Sequence, residues 1–331
     1  MQRLIGASGL LIAFLVLAAG VAACGSSSSD SGAAQVGVIL KSQQNDYWRL
    51  AKSGVDSATE NLGETADVSF AAGTDQNEAT EEISEVENML TKGVEGIAIA
   101  PSGTDQLTPI LEKAAGEGVP VVLIDTEQPG LKEKTFVGSN NVEGGEIAGS
   151  ELVKVLSGKT GKVVLLTGLP GTSSLDERET GFRQALEASG AKIEATGQTE
   201  CDPAKAKGIA ENALTSDPEV VGFFSPCGGI LEQVIPVAEM AVGQARAREM
   251  AMVEFDFAMS LQGKILESGM LDATIAQYPQ EMAEKATELA AEAADGKAIP
   301  KKVDTKLEVV TPSNYQNYAK EFNAALASLN G

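Results

Sequence analysis

Asn45, Asp125, Arg178, Asp256 and Gln277 lie at the ends of apolar runs, or in the loops and helix starts that follow them. Carboxylates accept hydrogen bonds from vicinal hydroxyls, and Arg, Asn and Gln donate them in fixed planar geometry. Tyr47 and Trp48 stand just beyond Asn45, and Trp48 is the only tryptophan in the chain. Two adjacent rings can cover the apolar C–H face of a sugar. The set suits a neutral, polyhydroxylated ligand. Singly, each residue also has a structural reading, because aspartates at strand ends cap helices and arginines form surface ion pairs.

Other chemistry is excluded or unsupported. The chain has no histidine, which removes the commonest general base and metal ligand. A Ser-His-Asp or Cys-His centre and a His-containing zinc site are therefore ruled out. Ser157-Gly158-Lys159-Thr160 has Val153 where a phosphate loop needs glycine, and a strand follows, so it reads as a surface turn. Gly168-Leu169-Pro170-Gly171 is no dinucleotide fingerprint, and no acidic run has the calcium-loop spacing. No cofactor or metal is expected. Glu78, Glu81, Glu82, Glu85 and Glu87 read as the solvated acidic face of a helix. Without histidine, ligand binding is expected to vary little between about pH 6 and 8.

The elements that must position these residues follow from apolar periodicity. Strands are expected at Val36–Leu40, Asp67–Ala72, Gly96–Pro101, Pro120–Asp125 and Phe136–Gly138. A second set covers Lys162–Thr167, Lys192–Thr199, Val220–Ser225, Met250–Asp256 and Ala273–Gln277, with one late strand at Val303–Val310. Helices fill the intervals, among them about Asp46–Leu62, Glu78–Thr91, Thr104–Gly116 capped by Thr104, Asn141–Leu156, Leu175–Ser189, Ala258–Ser268 and Ser313–Leu329. Strands this apolar belong to parallel sheets covered on both faces. Alternating βα units and two similar halves predict an α/β fold of two doubly wound lobes. Ligands then bind beyond the carboxyl ends of the strands, where the polar residues converge.

The chain of 331 residues suits two domains, and its net charge of −22 argues against nucleic acid or an anionic membrane surface as a partner. Residues 1–23 combine one positive charge, Arg3, with an apolar core and small residues, as a secretory signal does. The end of that segment, before Cys24, resembles a bacterial lipoprotein box, which implies cleavage there and lipidation of Cys24. An uncleaved anchor and an ordinary signal are the other readings. Residues 24–34 then form a Ser/Gly tether spanning roughly 15–20 Å. Cys201 and Cys227 remain as either two buried thiols or a disulfide; a bridge closing 26 residues is worth roughly 3–3.5 kcal/mol in the chain-entropy model, and it is the reading favoured.

Several motifs together resemble the periplasmic ribose-binding protein group of ABC-transporter substrate-binding proteins. They are Asn45-Asp46-Tyr47-Trp48, Leu123-Ile124-Asp125, Gly138–Gly145, Pro170-Gly171-Thr172-Ser173, Arg178 with Gly181-Phe182, Phe255-Asp256 and Ala273–Gln277. The resemblance implies type I periplasmic-binding-protein lobes at 35–138 plus 278–304 and 139–277 plus 305–331, joined by three crossings and closing on a sugar. It implies hydrogen bonds to the ligand from Asn45, Asp125, Arg178, Asp256 and Gln277, with Tyr47 and Trp48 stacking on it. Ribose binders carry Arg where Thr126 stands, an aromatic near Cys201, and an Asn-Asp pair at Pro226-Cys227. Those departures point to another monosaccharide or a sugar alcohol, with Lys41 and Gln44 as compensating donors and Thr126, Cys201 and Pro226 at altered pocket positions. The expected protein is a monomeric, membrane-anchored extracytoplasmic receptor that delivers its ligand to an ABC permease. A sensor module for a membrane receptor and a sugar-acting enzyme are the alternatives.

Overall fold

The structure, a computed structural model, describes residues 32–44, 46–74, 79–102, 105–132, 134–189, 192–257 and 262–327. Cys24, Asn45, Glu78 and Thr104 lie outside the described residues, as do 258–261 at the start of one expected helix. The first half alternates β1 (Ala34–Leu40), α1 (Asp46–Leu62), β2 (Ala66–Ala72), α2 (Ala79–Lys92), β3 (Gly96–Ile99), α3 (Thr108–Gly116), β4 (Val121–Ile124) and β5 (Thr135–Ser139). The second half runs α4 (Asn141–Leu156), β6 (Lys162–Thr167), α5 (Ser173–Ser189), β7 (Lys192–Gln198), α6 (Pro203–Ser216), β8 (Val220–Ser225), α7 (Leu231–Val242), α8 (Gln244–Ala247), β9 (Ala251–Phe255), α9 (Gln262–Ser268) and β10 (Ala273–Ala276). The chain closes with α10 (Pro279–Ala294), β11 (Lys302–Thr305), β12 (Glu308–Val310) and α11 (Tyr315–Ala327).

Among the described residues two six-stranded sheets form. The first has the order β11-β5-β4-β3-β1-β2 and is parallel throughout. The second has the order β12-β10-β9-β8-β6-β7, with only β12 antiparallel. Both faces of β1 are covered, Val36, Val38 and Leu40 packing into one apolar cluster and Ile39 into another. That double burial is why the run has no polar alternation. In each sheet the strand order reverses, at β1/β3 and at β6/β8, which opens a crevice at the carboxyl ends.

The chain passes between the sheets three times: between Ser139 and Asn141, between Ala276 and Pro279, and between Thr305 and Glu308. The last passage corrects the expectation of one strand over Val303–Val310. An extended chain crosses at Lys306-Leu307, so one extended pattern serves two strands in different sheets. Another correction concerns α3, which starts at Thr108 with Pro109 in its first turn, after a 3-10 turn over Asp105–Leu107. Proline is pre-set for a helix start and cannot donate farther inside.

Helices α4 and α5 touch backbone to backbone. A Cβ at Gly145 would collide with the Arg178 carbonyl, and one at Gly181 with the Val142 carbonyl. This close approach sets where Arg178 stands.

Candidate functional site

A cavity of about 180 Å³ lies between the lobes, and every segment lining it follows a strand. Lys41, Tyr47 and Trp48 follow β1, Ser102 follows β3, and Asp125 follows β4. From the other lobe come Thr172, Ser174 and Arg178 after β6, Cys201 after β7, Cys227 and Gly228 after β8, and Asp256 and Phe257 after β9. The lobes meet around it: Ser173 Oγ donates to the Glu127 carbonyl at 2.9 Å, and the Thr126 and Ser174 hydroxyls are 3.4 Å apart.

The two aspartates occupy matching places. Asp125 ends β4 and Asp256 ends β9, each the third strand of its sheet's order. Both adopt the left-handed backbone region, with φ of 65° and 61°. Their N–H groups donate to the next strand, Asp125 to the Val137 carbonyl and Asp256 to the Ile275 carbonyl, both at 2.9 Å. That region costs a non-glycine residue about 1–2 kcal/mol, and such conformations concentrate at binding sites. Here the twist turns both carboxylates toward the cavity wall.

Around Asp125 the polar groups interlock. Tyr47 Oη donates to Oδ1 at 2.5 Å and Thr126 Oγ1 to Oδ2 at 2.7 Å. Lys41 Nζ donates to Thr126 Oγ1 at 2.8 Å and lies 3.7 Å from Oδ2. Burial pulls the Lys41 ammonium below its ordinary pKa, opposed by Asp125 and Glu82. Burial pushes the Tyr47 phenol well above its own, reinforced by Asp125. Trp48 is buried and meets Tyr47 edge to face at 5.0 Å between centroids, with Lys41 Nζ 5.3 Å from its ring.

The opposite wall centres on Arg178, which is 3% exposed. Its Nε donates to Asn141 Oδ1 at 2.9 Å and its Nη1 to the Pro226 carbonyl at 3.0 Å, with Asp256 Oδ2 at 3.6 Å. The guanidinium lies over the Phe255 ring at 4.0 Å. Asp256 Oδ1 accepts from Gln277 Nε2 at 2.6 Å, and Gln277 Oε1 is a buried acceptor with no partner among the described residues. Desolvation raises the Asp256 pKa, and Arg178 opposes it. The sulfurs of Cys201 and Cys227 are bonded, with Cα atoms 5.7 Å apart.

The structure thus brings Tyr47, Trp48, Asp125, Arg178, Asp256, Lys41, Cys201 and Cys227 to the cavity wall. Thr126, Pro226 and Gln277 stand one layer behind, holding Asp125, Arg178 and Asp256. Gln44 does not line the cavity: it is exposed, and its N–H donates to Ser42 Oγ at 3.0 Å. Asn45 cannot be placed, lying outside the described residues. Ser102, Thr172, Ser174, Gly228 and Phe257 were not singled out, although the strand-end rule that found the aspartates also covers Ser102. Among the described residues no group of three His, Cys, Asp or Glu is placed to hold a metal ion.

Glu82 departs from its expected solvated face. It is 1% exposed, and its Oε2 accepts the Ser102 N–H at 2.9 Å. The helix turns this one glutamate inward because the end of β3 leaves that donor unpaired. Desolvation pushes its carboxyl up to about 7. In the other lobe Glu254, fully buried beneath the cavity, is pushed up to about 8 while accepting from the Leu231 N–H at 3.1 Å and from Gln262. Groups that titrate near neutrality are therefore present without histidine.

Comparisons with known proteins agree with this geometry. A family model described as a periplasmic binding protein domain matches residues 36–298. The chain belongs to that family. Within it, the chain resembles the ribose-binding group. The ribose import binding protein of Bacillus subtilis is 28% identical over 283 residues, covering 83% of this chain and 87% of its own length. The D-allose-binding periplasmic protein of Escherichia coli is 26% identical over 283 residues, covering 83% and 89%. Among solved structures, GanP, a glucose-galactose binding protein from Geobacillus stearothermophilus, aligns with a TM-score of 0.78 at 25% identity, over 85% of this chain and 98% of that one.

Proposed function

We propose that this chain is the substrate-binding lipoprotein of an ABC importer. It captures one neutral monosaccharide or sugar alcohol and delivers it, unaltered, to a permease. The observation that carries the reading is the paired arrangement of Asp125 and Asp256, one from each lobe, flanked by Lys41 and Arg178 around a single cavity of about 180 Å³. Carboxylates and guanidinium in fixed positions match vicinal hydroxyls, and a cavity of this size suits one small ring or chain better than a polymer. Asn45, Tyr47, Trp48, Asp125, Arg178 and Asp256 are the proposed ligand contacts, with Gln277 holding Asp256 from behind and Lys41 in place of a donor lost at Thr126. Relatives that bind ribose, allose, glucose and galactose support the ligand class.

The bodies that close are proposed as 35–138 plus 278–304 and 139–277 plus 305–331, hinged at the three crossings. The protein is proposed to act as a monomer, outside the cytoplasm, held by lipid on Cys24. Trp48 reports on the site, so a fluorescence screen of pentoses, hexoses and alditols tests the reading. A saturable change with one of them is expected; no response across all three classes, or chemical turnover of a bound sugar, would overturn it.

A further inference from the structure

The two faces of the second sheet send different chemistry into the cavity. Along β6, Val163 and Leu165 point into one apolar cluster, under α4 and α5, and Val164 and Leu166 into another. Arg178 of α5 lies over Phe255, a member of the first cluster, so the guanidinium enters from that face. Phe255 and Phe257 are two positions apart yet fall in different clusters, with the left-handed turn of Asp256 between them. Where the second cluster reaches the cavity it presents Leu175, the bonded Cys201 and Cys227, and Phe257.

This wall has spent its hydrogen-bonding groups on itself. The Leu175 N–H donates to the Thr172 carbonyl at 3.0 Å, the Cys201 N–H to Thr199 Oγ1 at 3.2 Å and the Cys227 N–H to Ser225 Oγ at 3.2 Å. The Cys227 carbonyl accepts from Ser225 Oγ at 2.9 Å, and the Pro226 carbonyl accepts from Arg178. A disulfide has no S–H to donate, and its sulfurs accept weakly. Of the two hydroxyls just before Leu175, Ser174 Oγ faces Thr126 Oγ1 at 3.4 Å, and Thr172 is buried. The charged wall is the reverse. Among the described residues Asp256 Oδ2 accepts no hydrogen bond and Arg178 Nη2 donates none, so both are left for a ligand.

A ligand with hydroxyls all round would bury one of them against sulfur and hydrocarbon with no partner, which weakens binding. A methyl group at the same place gains by leaving water. We propose that the ligand is a 6-deoxy sugar, whose ring hydroxyls meet Asp125, Asp256 and Arg178 and whose methyl group sits against Leu175 and the Cys201–Cys227 disulfide. The inference rests on the monosaccharide reading above and narrows it. It makes the disulfide and Leu175 specificity-determining groups, where the charged groups alone would accept many sugars.

The test is calorimetric titration of the full chain with sugar pairs that differ in one hydroxyl: L-rhamnose and L-mannose, L-fucose and L-galactose, 6-deoxy-D-glucose and D-glucose. In the pair whose ring fits, the deoxy member should bind about ten- to hundredfold more tightly, the range an apolar pocket achieves against an added hydroxyl. Leu175→Asn supplies a donor and an acceptor at the wall and should bring that ratio below about threefold, with a urea titration showing that the variant folds. Equal or tighter binding of the hydroxylated member overturns the inference and leaves the monosaccharide reading standing. Tighter binding of an alditol than of every deoxy sugar does the same. An undiminished ratio in folded Leu175→Asn overturns the role given to this wall. Silence across all three pairs and the alditols overturns the inference and the sugar reading together.

Discussion

Replacing Glu82 by Gln isolates one buried charge. The carboxyl is pushed from 4.5 up to about 7 by desolvation, against the Ser102 N–H and Lys41, which favour its ionised form. Its folded pKa is raised, so the native state holds a proton that the unfolded chain has released between about pH 4.5 and 7. Stability then falls as pH rises through that window and levels off above it. For this pair of values the contribution drops by about 2.5 kcal/mol between pH 5 and 8. Glutamine keeps a carbonyl oxygen for the Ser102 N–H and removes the titration. Urea denaturation of both proteins at pH 5 and pH 8 supplies the assay, with the remaining carboxylates, including Glu254 and Asp272, common to both. Relative to wild type, Glu82→Gln should gain about 2–3 kcal/mol on going from pH 5 to pH 8. An unchanged difference between the two pH values would refute the argument that burial, outweighing Lys41 and the Ser102 N–H, raises the Glu82 carboxyl.

Other expectations can be checked by substitution. Gly181→Ala should lower stability by about 1–3 kcal/mol in denaturant titration, because α5 cannot back away from the Val142 carbonyl of α4 without moving Arg178. Joint Cys201→Ser and Cys227→Ser replacement should cost about 3.5 kcal/mol from the 26-residue loop, with unfolding midpoints equal to those of reduced wild type. Trp48→Ala should weaken sugar binding by more than about 1 kcal/mol, read as the dissociation constant by calorimetry; a change under twofold would remove the ring from the contact set.

Much of the fold was legible because its signals are local. The apolar run of β1, the polar loop and the start of α1 follow one another within Gln35–Trp48, and the same grammar repeats in both lobes. Asp125 and Asp256 could be picked out because strand ends converge in any doubly wound sheet. What escaped depends on distant partners. Glu82 sits in a glutamate-rich helix, and only the N–H of Ser102, twenty positions on, singles it out. Thr126, Pro226 and Gln277 were placed among the contacts because the sequence reports proximity to a strand end, not which of two layers a side chain enters. The break at Lys306-Leu307 leaves no turn signal, since an extended chain can change sheets without bending.

The central claim is that Arg178 and the two aspartates hold one neutral, hydroxyl-rich molecule between the lobes. Calorimetric titration of wild type and Arg178→Ala with the sugar or alditol found by screening tests it most directly. One molecule per chain should bind wild type, and the variant should lose at least about tenfold in affinity, since a buried charged hydrogen bond contributes about 1.5–3 kcal/mol. Equal affinity in the two proteins, or more than one bound molecule per chain, would contradict the account.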